Sequence, residues 1–258
     1  MTFVGAGDIA SCASPGSEET ARLLDGISGT IFTTGDNAYP AGTDEQFRDC
    51  YGPTWGRHRH RTRPSPGNHD YLTGGGVPYF SYFGGDAGPA GLGYYSYRLE
   101  GWTIFSLNSN APADEGSAQY QWLRAELTSR ASRCSLAYWH HPVINDGPHG
   151  DSGQMRAIWR LLFKHGVDVV LAGHDHNYQR FPALDGNLQR DPQRGIRQFI
   201  VGTGGAELYE FPGNQSRAEA RGGAWGVLKL SLEADGYNWE FLPVSGQQYR
   251  DFGRDTCH

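Results

Sequence analysis

The chain has 258 residues, a net charge of -6, and is 38% hydrophobic and 19% charged. That composition excludes a disordered chain or a coiled coil, and allows one large core or at most two domains. No apolar run is long enough for a transmembrane helix, and the acidic balance leaves no broad surface for nucleic acid.

The one basic run, Arg57-His-Arg-His-Arg-Thr-Arg63, is either a solvated loop or a face toward an anionic substrate. No signal peptide opens the sequence, so the expectation of a secreted or extracytoplasmic protein requires a leader that is absent from this chain. Cys12, Cys50, Cys134 and Cys257 lack the paired spacing of a zinc ribbon. Two disulfides and four buried thiols both fit the count. Cys12 with Cys50 and Cys134 with Cys257 is one of three pairings.

Residues 2–6 read as a strand ending at Gly7-Asp8. Ser17 is the expected cap of a helix carrying Glu18 and Glu19 in its first turn, with Gly26 as its stop. Residues 30–34 form a second strand ending at Gly35-Asp36, and residues 44–56 look weakly helical. The two prolines of residues 63–70 predict a rigid turn without helix geometry. Residues 74–93, rich in Gly, Tyr and Phe, read as a loop that covers a surface or forms a rim. Residues 94–99 and 102–107 read as a hairpin.

Ser117 is the expected cap of a helix to about residue 129, with Tyr120, Leu123 and Leu127 on its apolar face. A strand at 134–139 ends at His140-His141-Pro142, and a polar loop at 145–153 carries His149. Met155, Ile158, Trp159 and Leu162 predict another helix, stopped by Gly166. The β-branched and apolar run 167–172 is a buried strand ending at Gly173-His174-Asp175-His176. Residues 197–202 are a further strand, 206–223 a loop, and 225–232 with 237–242 a hairpin around Asp235-Gly236. Strand-helix alternation with a polar residue past each strand is an α/β pattern, in which ligands gather beyond the carboxyl ends of strands.

Those strand ends collect Asp8, Asp36, Tyr39, Asn68, His69, His140, His149, His174 and His176. Caps and turns use some of the same residue types. Carboxylates and imidazoles recurring at one topological position point instead to two metal ions, because gathered carboxylates repel and cations relieve that cost. No Gly-x-Ser-x-Gly elbow is present, and Ser65 and Ser109 have no evident partner.

The segments Gly7-Asp8-Ile9, Gly35-Asp36-Asn37-Ala38-Tyr39, Gly67-Asn68-His69-Asp70, His140-His141-Pro142, His149-Gly150 and Gly173-His174-Asp175-His176-Asn177 come in order over nearly the whole chain. In this they resemble the calcineurin-like metallophosphoesterases, and among them the purple acid phosphatases. The resemblance implies a layered α-β-β-α sandwich with two mixed sheets, as one domain over residues 1–258. It implies a first metal on Asp8, Asp36, Tyr39 and His176, and a second on Asp36, Asn68, His140 and His174. Ala10 stands where the broader superfamily has a histidine, and Tyr39 takes the phosphatase subgroup's place for a tyrosine. A phenolate there favours Fe3+ in the first site, with Fe2+, Zn2+ or Mn2+ in the second. His140 is the implied ligand of the two adjacent histidines, and His141 is left beside the site. His69 and His149 match the outer histidines, and Asp70 is expected to orient His69.

The expected activity is hydrolysis of a small phosphate monoester by a metal-bound hydroxide, without a phosphoenzyme. A phosphodiesterase and a non-catalytic metal-containing binding protein are the alternatives.

Overall fold

The computed structural model describes residues 1–129 and 132–258. β1 (Thr2–Ala6), α1 (Gly16–Asp25), β2 (Thr30–Thr34), a short α2 (Asp44–Gln46) and β3 (Thr62–Ser65) open the chain, and the three strands run parallel. α3 (Asn68–Tyr71) and α4 (Val77–Phe83) lead to the antiparallel pair β4 (Tyr95–Leu99) and β5 (Trp102–Ser106). Strand-helix alternation resumes with α5 (Ala118–Ser129), β6 (Ser135–Tyr138), α6 (Arg156–Lys164) and β7 (Val169–Ala172). The rest is strand-rich: β8 (Tyr178–Leu184), β9 (Ile196–Val201), β10 (Ala220–Gly222), β11 (Gly226–Leu232), β12 (Gly236–Pro243) and β13 (Phe252–Thr256).

These strands form two mixed sheets, one in the order β13-β12-β11-β1-β2-β3 and the other β10-β8-β9-β7-β6-β5-β4. The period of two along a strand divides the core. Leu136, Tyr138, Val169 and Leu171 join the cluster that holds Phe3 and Phe32 of the other sheet. Phe3 lies 4.8 Å from Phe32 and 6.0 Å from Tyr138, ring centre to ring centre. Ala137, Trp139, Val170 and Ala172 belong to a second cluster with Leu123 and Leu127 of α5 and Ile158, Trp159 and Leu162 of α6. On the other side, α1 buries Ala21 and Leu24 with the strands of the six-stranded sheet. Helices thus flank two stacked sheets, the expected layered sandwich.

Several local expectations need correction. Ser17 does not cap α1: the helix starts at Gly16 behind Pro15, and Ser14 Oγ accepts the Gly16 N–H at 3.1 Å. Residues 63–70 are not a rigid turn. Pro64 lies in β3, an edge strand that tolerates a missing N–H, and α3 begins just past Pro66. Residues 74–93 contain α4, opened by Pro78 in its first turn, where proline lacks only an N–H without an intrahelical partner. The loop at 206–223 includes the short β10, and neither β8 nor β13 was expected.

The basic run is neither a free loop nor a substrate face. Arg57 pairs with Glu18 and Asp25, Arg61 donates to the carbonyls of Leu24, Ile27 and Gly29, and Arg63 pairs with Asp86. All four cysteines are used, in Cys12–Cys50 and Cys134–Cys257 disulfides. Among the described residues, no helix is long and apolar enough to cross a membrane.

Candidate metal centre

β1, β2 and β3 run on into Gly7-Asp8, Gly35-Asp36 and Pro66-Gly67-Asn68, while β6 and β7 run on into Trp139-His140 and Gly173-His174. Each set is parallel within its sheet, so the carboxyl ends share an edge. Backbone bonds join the two sheets there: Gly7 N–H donates to Val201 O and Gly204 N–H to Gly7 O, both at 2.8 Å. Asp8 (φ 59°), Asp36 (φ 51°) and His174 (φ 73°) hold left-handed backbone. Non-glycine residues adopt it at a cost of about 1–3 kcal/mol each, and such strain concentrates at functional sites.

The first cluster surrounds the Tyr39 phenol. Its oxygen lies 2.9 Å from Asp8 Oδ1, 2.9 Å from Asp36 Oδ2 and 3.0 Å from His176 Nε2. His176 donates its Nδ1–H to Glu207 O at 2.6 Å, which leaves a lone pair on Nε2 of the neutral ring. One phenolic proton cannot satisfy three acceptors, whereas a cation among these atoms can. Burial raises the phenol's pKa well above its ordinary value, and the Asp36 and Asp8 carboxylates raise it further. Only added positive charge would favour the phenolate. Tyr39 reaches this place because Ala10 and Ala38 form a parallel bridge and Tyr39 N–H donates to Ala10 O at 2.8 Å.

The second cluster surrounds His140, which is fully buried. Its Nδ1–H donates to Thr34 O at 2.8 Å, so Nε2 faces Asn68 Oδ1 at 3.0 Å, His174 Nδ1 at 3.2 Å and Asp36 Oδ2 at 3.3 Å. Asp36 Oδ2 therefore belongs to both clusters. Burial pulls His140 down, but the Asp36 charge and hydrogen bond outweigh it and hold the imidazole up at about 9. Burial likewise pushes Asp36 up, and His140, then His69, bring it below the ordinary carboxylate range. His174 is pushed down to about 2 by burial and then by the neighbouring imidazoles, which leaves a neutral ring.

The donor set fits two cations. Asp8, Asp36 and His140, and separately His140, His141 and His174, each bring three ligand atoms within 4.8 Å of one another. A third such group, Cys134, Asp168 and Cys257, has both sulfurs in a disulfide.

Two partly exposed histidines flank the clusters. His69 Nδ1–H donates to Pro40 O at 2.6 Å, and its Nε2 lies 3.9 Å from Asp36 Oδ2. His149 Nδ1–H donates to Asp175 Oδ1 at 2.9 Å, with its ring 4.2 Å from that of His174.

The expectation that Asp70 orients His69 is overturned. The buried Asp70 carboxylate accepts from Gly67 N–H, Asn37 N–H and Asn37 Nδ2, and so braces the loops after β2 and β3. Burial, then the Asp36 charge, raise it to about 7 against those hydrogen bonds. Pro40 O does the orienting instead. Ser109 does have a partner: its Oγ accepts His141 N–H at 3.1 Å and lies 2.8 Å from His141 Nδ1. Ser109 is buried, and nothing in the arrangement exposes it as a nucleophile.

Sequence reasoning missed Asp175 and Tyr209. Asp175 sits between two candidate ligands, and that position was its only signal. Tyr209 stacks on His176 with ring centres 4.0 Å apart at 10°, from a loop whose sequence gives no cue.

The sequence profile of the calcineurin-like phosphoesterase family matches residues 1–178, a stretch that includes every candidate ligand. The chain belongs to the calcineurin-like phosphoesterases. Within them it is related to purple acid phosphatases. It is 35% identical to purple acid phosphatase 21 of Arabidopsis thaliana over 118 residues, 43% of this chain and 26% of that protein. It is 30% identical to an uncharacterised Mycobacterium tuberculosis protein over 185 residues, 55% of this chain and 35% of that one.

Among solved structures, the yellow lupin purple acid phosphatase PPD1 shares the fold with a TM-score of 0.81 at 20% identity, covering 98% of this chain and 53% of that one. GAP50 of the Plasmodium inner membrane complex gives 0.78 at 12% identity, covering 100% and 89%. This calcineurin-like phosphoesterase chain thus spans about half the lupin structure, and it aligns with about a quarter of the Arabidopsis protein.

Proposed function

We propose that this chain, as one domain over residues 1–258, hydrolyses phosphate monoesters with two metal ions held at the strand ends. Asp8, Asp36, Tyr39 and His176 take the first ion, and Asp36, Asn68, His140 and His174 the second. The observation that carries the reading is a single phenolic proton facing three acceptors beside a second cluster, where His140 Nε2 meets Asn68 Oδ1, His174 Nδ1 and Asp36 Oδ2, so that Asp36 Oδ2 belongs to both. A phenolate is a hard anionic ligand, which favours Fe3+ in the first site, while the imidazole and amide set suits Fe2+, Zn2+ or Mn2+ in the second.

When bound, two such ions neutralise charge on the transferred group and activate and align water. The chain's own contribution is position and protons. Asp175 fixes the ring of His149 through Nδ1, so Nε2 is the atom that exchanges a proton with the leaving oxygen. Pro40 O does the same for His69. The relatives named as purple acid phosphatases support this reading, and two disulfides support an extracytoplasmic location.

The test is hydrolysis of a matched aryl phosphate monoester and diester by protein of measured metal content. Preference for the monoester is expected. Preference for the diester would replace the phosphatase reading with a phosphodiesterase, and no turnover of either with two metals bound would overturn the enzyme reading.

A further inference from the structure

Beside the candidate centre lies a cavity of about 460 Å³, within the range of roughly 300–1,000 Å³ typical of small-molecule sites. Tyr71, Leu92, Tyr94, Ala111 and Pro112 supply its apolar lining, and no acidic, basic or histidine side chain lines it. Two connections place its wall next to the centre. Tyr71 stands three residues along α3 from Asn68, the spacing that places both on one face of a helical turn. Asn108 and Asn110 flank Ser109, whose Oγ meets His141, and the His141 ring lies 4.5 Å from that of His174. Asn110 Nδ2 also donates to Pro66 O at 3.3 Å, two residues before Asn68.

The amides in this lining are already engaged. Asn108 Nδ2 donates to Tyr71 Oη at 2.6 Å and to Leu92 O at 2.9 Å, and Asn108 Oδ1 accepts Asn110 N–H. Gln119 Oε1 accepts Asn108 N–H, and its Nε2 donates to Asn108 O. A sugar, a nucleotide or a polyphosphate needs several free polar or cationic partners, and here the side chains of Asn108 and Gln119 are spent on other groups of the wall, which leaves only Asn110 Oδ1 and the Tyr71 O–H. The rest is aromatic and aliphatic surface. Leu92, 40% exposed, stands at this cavity, and Leu72, 65% exposed, directly follows Tyr71.

We propose that this cavity is the leaving-group subsite of the same centre and that it takes an uncharged, flat apolar alcohol. The inference rests on the phosphomonoesterase reading for its reaction, but its binding half stands without it. The ester oxygen lies at the metal clusters, and the organic group turns past Asn68 into the space between Tyr71, Leu92 and Ala111. The phosphate's charge stays with the centre, and the cavity adds binding through apolar burial alone.

The experiment compares 2-phenylethyl phosphate with ethyl phosphate, whose leaving alcohols have similar reactivity. Calorimetry of 2-phenylethanol is run alongside on metal-quantified protein. The phenylethyl ester is expected to have the higher kcat/KM by roughly 10- to 100-fold, the discrimination a hydrophobic pocket supplies. The ratio should fall toward one in Ala111→Phe, which fills the space, and in Leu92→Asp, which puts a charge at a partly exposed position. Both variants should also weaken 2-phenylethanol binding about tenfold or more.

Equal kcat/KM for the two esters, with both hydrolysed, would overturn the subsite and leave the phosphatase reading standing. If neither ester is turned over with two metals bound, the phosphatase reading fails. The alcohol titration then decides the cavity alone: binding that Ala111→Phe abolishes supports it, and absence of binding to the parent overturns it.

Discussion

Asp36 Oδ2 lies 2.9 Å from the Tyr39 phenol and 3.3 Å from His140 Nε2, while Oδ1 accepts the His69 N–H at 2.8 Å. One side chain therefore ties both clusters to the loop that carries an outer histidine. Asp36→Ala is expected to remove both ions and nearly all activity, read by elemental analysis and turnover of the same sample. Two retained ions would refute the shared-ligand assignment. Asp175 makes the contrasting case. Both its oxygens accept, one from His149 Nδ1 and the other from Asn145 Nδ2, so the amide of Asp175→Asn cannot serve both donors. That change is expected to lower kcat by roughly 10- to 100-fold, part of what a positioned general acid contributes, with both metals retained. Loss of metal in place of rate would show that Asp175 acts on the His174 and His176 loop and not on His149. At this scale the sequence was most legible where residue type and strand-end position coincide, as for Asp8, His140 and His176. It was least legible for Asp70, which follows His69 in the chain but turns inward to Gly67 and Asn37. Adjacency in a helical turn does not bring side chains together, because i and i+1 point in different directions.

The elements that hold these residues are short strands, and all but β6 run on into a glycine within two residues. A Cβ on Gly67 would collide with Asp36 Oδ1 and lie 2.7 Å from its Cγ, and one on Gly173 would lie 2.6 Å from Asp8 Oδ2. Close approach of the strand ends thus depends on missing side chains. Gly67→Ala is expected to displace Asp36, lose metal and cost about 1–3 kcal/mol of stability through overpacking. Gly153→Ala, where nothing lies within 4 Å, is its control. Equal metal content in the two variants would sink this account of the strand ends. The same elements explain which parts of the fold could be read in advance. β1, β2, β6 and β7 are apolar and compact, and the hairpins around Glu100-Gly101 and Asp235-Gly236 carry turn residues. His165 and Gly166 (φ 68°) end α6 as their types suggest. β8 was hidden because Arg180 and Pro182 break the apolar pattern. The structure accommodates them with a register shift between Arg180 and Ala183. β13 is an edge strand with alternating exposure and Phe252 76% exposed, so it offers no buried face to detect. α4 is an aromatic run between glycines, and its helix follows from packing of Tyr79 and Phe83 into the core more than from propensity.

Across the whole molecule, the edge opposite the candidate centre is secured by Asp168 and the chain terminus. Asp168 Oδ2 accepts Ser135 N–H at 2.8 Å at the start of β6, and Oδ1 accepts His258 N–H at 3.0 Å. Its own N–H donates to Ser135 O, and its carbonyl accepts Arg197 N–H in β9, so three strand starts meet at one residue. The Cys134–Cys257 disulfide, with a sequence separation of 123, adjoins Ser135 at one end and His258 at the other, the two backbone donors to that carboxylate. Burial pushes the Asp168 carboxyl up to about 6, against the Ser135 and His258 backbone bonds and the charge of His258, all of which pull it down. His258, whose Nδ1 lies 3.2 Å from Oδ1, is the ionisable side chain paired with it. The folded pKa stands above the ordinary 3.8, so the folded chain prefers the protonated acid. The stability this supplies is full below about pH 4 and is lost as pH rises through about 6, up to about 3 kcal/mol in all. Asp168→Asn removes the titration and keeps one acceptor oxygen. The variant is therefore expected to be less stable than the parent at pH 4, with a gap that narrows toward pH 7. Urea unfolding of both proteins at pH 4, 5.5 and 7 measures it, and the difference between them cancels the titration of distant groups, including any loss of metal in acid. A gap that stays constant or widens with pH would show that Asp168 is ionised throughout, held by the two backbone bonds and by His258.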